Sequence, residues 1–334
     1  MTVSDRLPVT VIGGYLGAGK TTLLNRLLAD AHGVRLAVLV NDFGEINVDA
    51  ALISNRSGET ISLANGCVCC SIGDNLGLAL YDLAQRPDGP EHIVIESSGV
   101  ADPARIAAYA GCHPRLVLDG IVVVADADTV QDRARDRYVG DVVRQQLAAA
   151  DLLVLSRTDL VDAEATRAVR GWIESEVAGA RVLEATAVNR LAHVLMVGGR
   201  AMDRPIAAGD HATLFAAWRL SSPLPLDGAA LRSVLASMPP AVWRAKGLVR
   251  LSEQPDRLFV LQLVGRRWSL APRVQGDAEP LATASEIVVI GAAQQLDKTG
   301  IASLFAPALP GRLPLSLDDL RVLEGRRRTL PPVE

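Results

Sequence analysis

Two hydrophobic patterns alternate along the first part of the chain. Short, continuous apolar runs lie at residues 9–12, 36–40, 93–95, 116–124 and 152–155. Between them, apolar residues recur at helical spacing over residues 20–30, 75–85, 103–110, 137–150 and 162–177, and a strand at 181–185 and a helix at 190–196 follow. Strands buried on both faces and separated by helices are typical of a mostly parallel sheet sandwiched between helices. We therefore predict a three-layer α/β domain over residues 1–200.

The pattern changes after a polar stretch at residues 201–212, which we interpret as a linker. An alternating strand pattern at 213–220 and a helical one at 226–238 precede strand patterns at 242–251, 258–264, 268–270 and 287–290. Strands grouped after one helix favour an antiparallel sheet. We predict a smaller α+β domain over residues 213–297. Residues 298–334 contain several prolines, and we predict a loosely held tail there.

Composition excludes some functions for this chain of 334 residues. Its net charge of −4 argues against nucleic-acid binding, which usually needs a basic surface. No uninterrupted apolar run reaches the ~18 residues that a membrane span requires, and the polar N-terminus does not resemble a signal peptide. We therefore expect a cytoplasmic protein without a membrane partner, in a compartment where thiols stay reduced.

A glycine-rich segment between the first strand and the first helix fits the phosphate-binding pattern G-x-x-x-x-G-K-[ST]. Its glycines let backbone N–H groups turn inward around phosphate oxygens, and the helix N-terminus adds partial positive charge. Lys20 is expected to contact the β- and γ-phosphates, and the Thr21 hydroxyl is expected to ligate Mg²⁺. The residues predicted to bind nucleotide here are Gly14, Gly17, Ala18, Gly19, Lys20, Thr21 and Thr22.

A carboxylate stands at the end of a neighbouring strand, where Glu96 follows residues 93–95. A carboxylate in this place can hold Mg²⁺ or orient the attacking water, so we assign Glu96, with Lys20, to catalysis. The Gly99 amide is placed to contact the γ-phosphate. The simpler interpretation of Glu96 is a solvated strand end.

A base-recognition loop is predicted at residues 156–159, where GTPases carry N-K-x-D. The Asp159 carboxylate would accept from the ring N–H and 2-amino group of guanine, which adenine lacks, and Arg157 would lay its stem along the base. Ser156 departs from the pattern, and we expect it to be too short to replace the asparagine contacts to the base and the loop. The alternative is that Asp159 only caps the next helix.

Three of the four cysteines, Cys67, Cys69 and Cys70, fall within four residues. Thiolates suit Zn²⁺, with Co²⁺ also possible, and select against Mg²⁺ and Ca²⁺. The alternatives are buried apolar cysteines or a redox pair, although three thiols this close do not easily share a core and adjacent cysteines make a strained disulfide. Glu45 is the preferred link between this metal and the nucleotide. The pair Cys112-His113 is either an accessory ligand or ordinary loop.

Four segments in this order, at residues 13–22, 41–45, 66–70 and 96–99, resemble the CobW family of P-loop GTPases. The second domain, with Trp218-Arg219 and residues 243–247, is similar to the C-terminal domain of that family. The resemblance implies the P-loop NTPase fold, GTP and GDP as ligands with Mg²⁺, and a metallochaperone that binds zinc or cobalt and serves a client metalloprotein. The absence of a histidine-rich tract argues against metal storage.

The sequence therefore predicts a slow GTPase that delivers a thiophilic metal to a client. One alternative is a maturation factor for one specific metalloenzyme. Another is a nucleotide-gated regulatory or interaction protein with structural or redox-active cysteines.

Overall fold

A computed structural model describes residues 6–30, 34–41, 59–63, 72–86, 89–111, 113–185, 215–273, 284–292 and 295–310. The first part of the chain forms a seven-stranded sheet in the order β3-β2-β4-β1-β5-β6-β7, and every pairing in it is parallel. Its strands are β1 (Leu7–Gly13), β2 (Leu36–Asn41), β3 (Glu59–Leu63), β4 (His92–Glu96), β5 (Leu116–Asp126), β6 (Leu152–Ser156) and β7 (Val182–Glu184).

The continuous apolar runs arise because alternate residues of each strand enter two different cores. Val9 and Val11 of β1 join a core that also contains residues of most of the helices, whereas Ile12 joins the core on the opposite face, beside Leu24. The helices are α1 (Lys20–Asp30), α2 (Ile72–Gln85), α3 (Pro103–Gly111), α4 (Val130–Arg135), α5 (Gly140–Ala149) and α6 (Ala163–Glu176). Only α1 packs on the second face among these helices of the described chain. The predicted three-layer fold is confirmed.

The second part of the chain contains a five-stranded antiparallel sheet in the order β11-β10-β9-β12-β8. Its strands are β8 (Phe215–Ser222), β9 (Val242–Leu251), β10 (Gln254–Val264), β11 (Arg267–Pro272) and β12 (Ser285–Ala292). The helices α7 (Gly228–Ala236) and α8 (Lys298–Phe305) bury their apolar residues in a core with this sheet. The predicted antiparallel α+β module is confirmed. No helix in the described part of the chain is long and apolar enough to cross a membrane.

The predicted loose tail is wrong for its first residues. Asp297 caps the amino end of α8, because its carboxylate accepts a hydrogen bond from Thr299 N at 3.0 Å. Ile301 and Phe305 are buried in the second core, and Pro307 lies in a short 3-10 turn that follows. The prolines suggested an irregular tail, whereas here Pro307 is the second residue of the short turn that ends a helical segment. Strand β3 and helix α4 were not predicted, and the linker at 201–212 lies outside the described residues.

The two sheets are joined by hydrogen bonds at the amino ends of β5, β6 and β7. Arg181, just before β7, donates to the carbonyl oxygens of Val242 and Met238. Arg266, at the β10–β11 turn, donates to Ala148 O and Ala150 O at the end of α5. The glycine-rich loop follows the carboxyl end of β1, so these contacts lie at the opposite edge of the parallel sheet.

Candidate nucleotide-binding site

The glycine-rich loop connects β1 to α1 and has the backbone that its sequence predicts. Gly14, Gly17 and Gly19 have φ angles of 135°, 75° and 97°, in the region that favours glycine. Gly14 also approaches β5 closely, because a Cβ atom there would lie 2.3 Å from Val124 O. Within the loop Ala18 is buried, and Thr22 is exposed in the first turn of α1. The loop and the helix N-terminus form the expected phosphate cradle.

Lys20, Thr21 and Glu96 lie together at the carboxyl edge of the sheet. The Lys20 side chain folds back over the loop, where Nζ donates to Tyr15 O at 3.3 Å. Thr21 Oγ1 donates to Glu96 Oε1 at 3.0 Å, and Glu96 is buried. A hydroxyl beside a carboxylate offers the hard oxygen ligands that Mg²⁺ prefers, so these two residues fit the ion. The structure thus brings together the residues predicted for phosphate and Mg²⁺.

Gly99 lies against the phosphate loop, as a γ-phosphate contact requires. A Cβ atom at Gly99 would stand 2.5 Å from Leu16 Cδ2 and 2.7 Å from Leu16 N, so only glycine fits without displacement. The segment is tied to the sheet where Ser97 N donates to Ile12 O at 2.8 Å. Gln146 of α5 donates to Gly99 O and Ala101 O. Sequence reasoning missed Gln146, because α5 is distant in the chain from this segment.

Ser156 contacts the phosphate loop, and the expectation that it is too short for such a contact is wrong. Its Oγ is 2.6 Å from Ala18 O and 3.3 Å from Ala125 O. The short side chain suffices because Gly19 brings the loop close, with a Cβ position only 3.7 Å from Ser156 Cβ. This hydroxyl therefore joins the end of β6 to the loop, as the longer asparagine was expected to do.

Arg157 and Asp159 follow at the same edge of the sheet. Arg157 has a left-handed φ of 54°, which is uncommon for a residue with a side chain, and its guanidinium pairs with Asp126 at 2.9 Å. Asp126, which ends β5 and is buried, had no recognisable signal in the sequence. Asp159 lies exposed in the turn before α6. A base-recognition role for Arg157 and Asp159 stays a prediction.

The predicted thiolate site lies outside the described residues, as does Glu45. The cysteines of that predicted site are Cys67, Cys69 and Cys70, and Cys112 also lies outside the described residues. Within the described ranges, no group of three His, Cys, Asp or Glu side chains is arranged to hold a metal. His113 is described, and its ring meets Tyr81 edge-on at 5.4 Å. It precedes β5 and so lies at the edge of the sheet opposite Glu96.

A buried charged cluster at the junction of the two sheets was also missed. Asp119 of β5 receives a hydrogen bond from Arg244 Nη2 at 2.8 Å, and Lys246 Nζ lies 3.8 Å from the same oxygen. Burial raises the pKa of the Asp119 carboxyl, but Arg244 and Lys246 outweigh it and hold that pKa below its ordinary value. Burial, with Arg244 next, lowers the pKa of Lys246 to about 7. Burial also lowers the pKa of His92, which hydrogen-bonds Thr10, to about 4.

A glycine-rich loop with Lys20 and Thr21, facing a strand-end carboxylate on a parallel sheet, defines a P-loop nucleotide-binding protein. The model of the CobW/HypB/UreG nucleotide-binding domain matches residues 8–184, and that of the cobalamin synthesis protein CobW C-terminal domain matches residues 215–309. The chain belongs to the CobW family. The resemblance found in the sequence is confirmed, and the second match extends through α8.

Relatives with assigned names match to different extents. The zinc chaperone CobW of Pseudomonas aeruginosa is 30% identical over 353 residues, which cover 92% of this chain and 93% of that protein. The zinc chaperone CobW of a Sinorhizobium species is 34% identical over 201 residues, 51% of this chain and 56% of that protein. The chain thus spans little more than half of that relative. The zinc chaperone YjiA of Escherichia coli is 38% identical over 162 residues, 46% of this chain and 50% of that protein.

Solved structures of similar proteins include Zn(II)-bound YjiA GTPase from Escherichia coli, at 24% identity and a TM-score of 0.43 over 92% of this chain and 100% of that one. HypB from Helicobacter pylori in complex with nickel has 17% identity and a TM-score of 0.40 over 62% of this chain and 94% of that one. At these TM-scores the likenesses add nothing to the assignment, which rests on the sequence matches.

Proposed function

We propose that this protein is a GTP-dependent metal chaperone that binds a thiophilic divalent metal and hydrolyses GTP to deliver it to a client metalloprotein. Zinc is the favoured metal and cobalt the alternative. Strand β3 and helix α2 flank the cysteines in the sequence. The proposal rests on where these two elements lie relative to Thr21 and Glu96.

Strand β3 ends at the same edge of the sheet as the Mg²⁺ ligands. In the strand register, Leu63 pairs with Asn41 of β2, and the neighbouring Val40 pairs with Glu96 of β4. Adjacent strands are about 4.8 Å apart, so the end of β3 lies about 10 Å from the backbone of Glu96. Cys67 follows Leu63 by only a few residues in the sequence.

Helix α2 returns to the same edge from the other side. It begins at Ile72, shortly after Cys70, and its carboxyl end leads to the amino end of β4. A crossover helix runs antiparallel to the strands that it connects, so the amino end of α2 lies at the carboxyl edge of the sheet. The two described elements that flank the cysteines in the sequence thus both meet the edge of the sheet that holds Thr21 and Glu96. This arrangement favours communication between the thiolates and the γ-phosphate.

The nucleotide is proposed to be GTP, with Mg²⁺ held by Thr21 and Glu96. Asp159 would recognise guanine and Arg157 would pack along it, on the loop that Ser156 joins to Ala18. Relatives named as zinc chaperones, and the zinc-regulated GTPase metalloprotein activator 1 of Schizosaccharomyces pombe, support both the nucleotide and the metal. The partner would be a client metalloprotein in the cytoplasm, and neither nucleic acid nor membrane is proposed as a partner.

The proposal is tested by measuring zinc affinity in two nucleotide states. Purified protein competes with a chromophoric zinc chelator in the presence of Mg²⁺ and either GDP or a non-hydrolysable GTP analogue. Coupling between sites is typically about 1–3 kcal/mol, so we expect zinc affinity to differ by about 5- to 150-fold between the two states. Zinc must change the ratio of the affinities for the GTP analogue and for GDP by the same factor, because binding linkage is reciprocal.

A triple serine variant of Cys67, Cys69 and Cys70 should lose both the zinc and the coupling while keeping GTP binding. Cys112→Ser is the matched control, since it removes a thiol outside the run, and it should behave as wild type. Equal zinc affinity with GDP and with the analogue would contradict the chaperone function. Tight binding of one zinc by the triple variant would show that the ligands lie elsewhere.

A further inference from the structure

A glutamine on α5 holds the backbone around Gly99. Gln146 is only 2% exposed, and its Nε2 lies 3.0 Å from Gly99 O and 2.9 Å from Ala101 O. An amide NH₂ group has two hydrogens, and here both are directed at backbone carbonyls. Its neighbours Val143 and Leu147 anchor α5 in the core beneath the sheet. The donor group is therefore fixed to a rigid element.

The segment that Gln146 holds is otherwise supported only at its ends and by the phosphate loop, among the described contacts. Ser97 N donates to Ile12 O at its start, and Ala101 N closes a turn on Ser98 O at 3.0 Å. Leu16 of the phosphate loop presses on the other side of Gly99. Gly99 is thus held between the phosphate loop on one side and the Gln146 amide on the other.

We propose that Gln146 is a positioning residue for γ-phosphate recognition: by fixing the carbonyls of Gly99 and Ala101, it holds the Gly99 N–H ready for the γ-phosphate of GTP. This inference rests on the proposed GTPase function. GDP has no γ-phosphate, so Gln146 contributes to the affinity for GTP and not to the affinity for GDP. A side chain that merely stabilised the fold would affect both nucleotides equally.

The decisive variant is Gln146→Met, which keeps the length of the side chain and removes both N–H donors. Without these donors the Gly99 N–H is no longer held in position for its hydrogen bond to the charged γ-phosphate. Losing a hydrogen bond to a charged group weakens binding about 10- to 100-fold. We expect this loss for a non-hydrolysable GTP analogue by calorimetry, with GDP affinity within about twofold of wild type. The rate of single-turnover GTP hydrolysis should fall as well.

Gln145→Met is the matched control. Gln145 is the exposed neighbour on α5, and its Nε2 donates to the Asp102 carboxylate at 2.8 Å, beyond the held carbonyls. This variant should bind both nucleotides as wild type does. If Gln146→Met weakens GDP and the GTP analogue equally, or weakens neither, Gln146 has no positioning role, although the proposed GTPase function stands. If wild-type protein binds no guanine nucleotide, the proposed function itself is wrong.

A second measurement needs no variant, in case Gln146→Met does not fold. Hydrogen exchange of the backbone amides at residues 97–101 in wild-type protein should be slower with the GTP analogue than with GDP. Equal exchange with the two nucleotides would overturn the inference, because the Gly99 amide would then make no contact with the γ-phosphate.

Discussion

In the charged cluster between the two sheets, two substitutions a few ångströms apart are expected to change the free energy of unfolding in opposite directions. Asp119 and Arg244 have side chains that are 1% exposed, and Lys246 is 10% exposed. Two cations therefore share one carboxylate in a buried place. Removing the carboxylate with Asp119→Asn leaves both cations without it, and breaking a buried ion pair in this way costs about 3–5 kcal/mol.

Lys246→Met should have the opposite effect. Each pKa unit corresponds to about 1.4 kcal/mol, so a lysine pKa lowered from 10.5 to about 7 means that holding Lys246 charged costs about 5 kcal/mol. Methionine keeps the length of the side chain and removes this cost. Replacing buried charges by apolar groups is often stabilising by about 1–4 kcal/mol, which is the increase expected here.

The assay is urea unfolding of the full chain at pH 7, followed by circular dichroism, with the exposed Asp82→Asn as the control for a lost carboxylate. The lowered pKa of Lys246 also makes the stability of the wild-type protein depend on pH. Between about pH 7 and 10.5 the unfolded chain binds more protons than the folded one, so wild-type stability should rise with pH, and Lys246→Met should lack that rise. Destabilisation by both substitutions, or a change of less than about 0.5 kcal/mol for Asp119→Asn, would refute the reasoning.

Four shorter predictions concern the nucleotide site and the neighbouring histidine. Ser156→Ala should weaken GTP binding about fivefold in calorimetry, because the hydroxyl bond to the phosphate loop contributes about 1 kcal/mol; unchanged affinity would show that this bond does not hold the loop. Asp159→Asn should shift the preference from GTP toward xanthosine triphosphate, since guanine's 2-amino donor loses its acceptor, and equal competition by ATP in wild-type protein would contradict guanine recognition. Lys20→Ala should abolish useful binding of a GTP analogue without changing the circular dichroism spectrum, and retained affinity would disprove the phosphate-loop assignment. The His92 pKa of about 4 lies below the ordinary 6.5, so the free energy of unfolding should fall by up to about 1.4 kcal/mol per pH unit as the pH drops from about 6.5 to 4. The urea midpoint of His92→Asn should change less with pH over this range than that of wild type.

Features with a local cause were predictable from the order of residues alone. Continuous apolar runs predicted the parallel strands, because a strand that is buried on both faces needs apolar residues at successive positions. The loop from Gly14 to Thr21 was predictable because its glycines, its lysine and its hydroxyl are adjacent in the chain. Glu96 could be assigned because it stands at the end of an apolar run, and in a parallel sheet the carboxyl ends of strands share one edge.

Helix α8 also has a local signal in the sequence. Asp297 is a helix N-cap, and apolar residues at helical spacing follow it, but the later prolines favoured a tail. Burial of Phe305 against the second sheet decides the helix, because a short helix is marginal without a surface to pack on.

Contacts between distant parts of the chain could be identified only from the folded protein. Ser156 reaches Ala18 across 138 residues, and Gln146 reaches Gly99 across 47. Asp119 meets Arg244 across 125 residues, and neither residue type nor spacing indicates such a pair. Hydrogen bonds and ion pairs depend on ångström-scale separations, which are fixed by how sheets and helices pack rather than by order along the chain. The sequence therefore predicted the residues for phosphate and Mg²⁺, and the fold supplied the contacts that hold those residues.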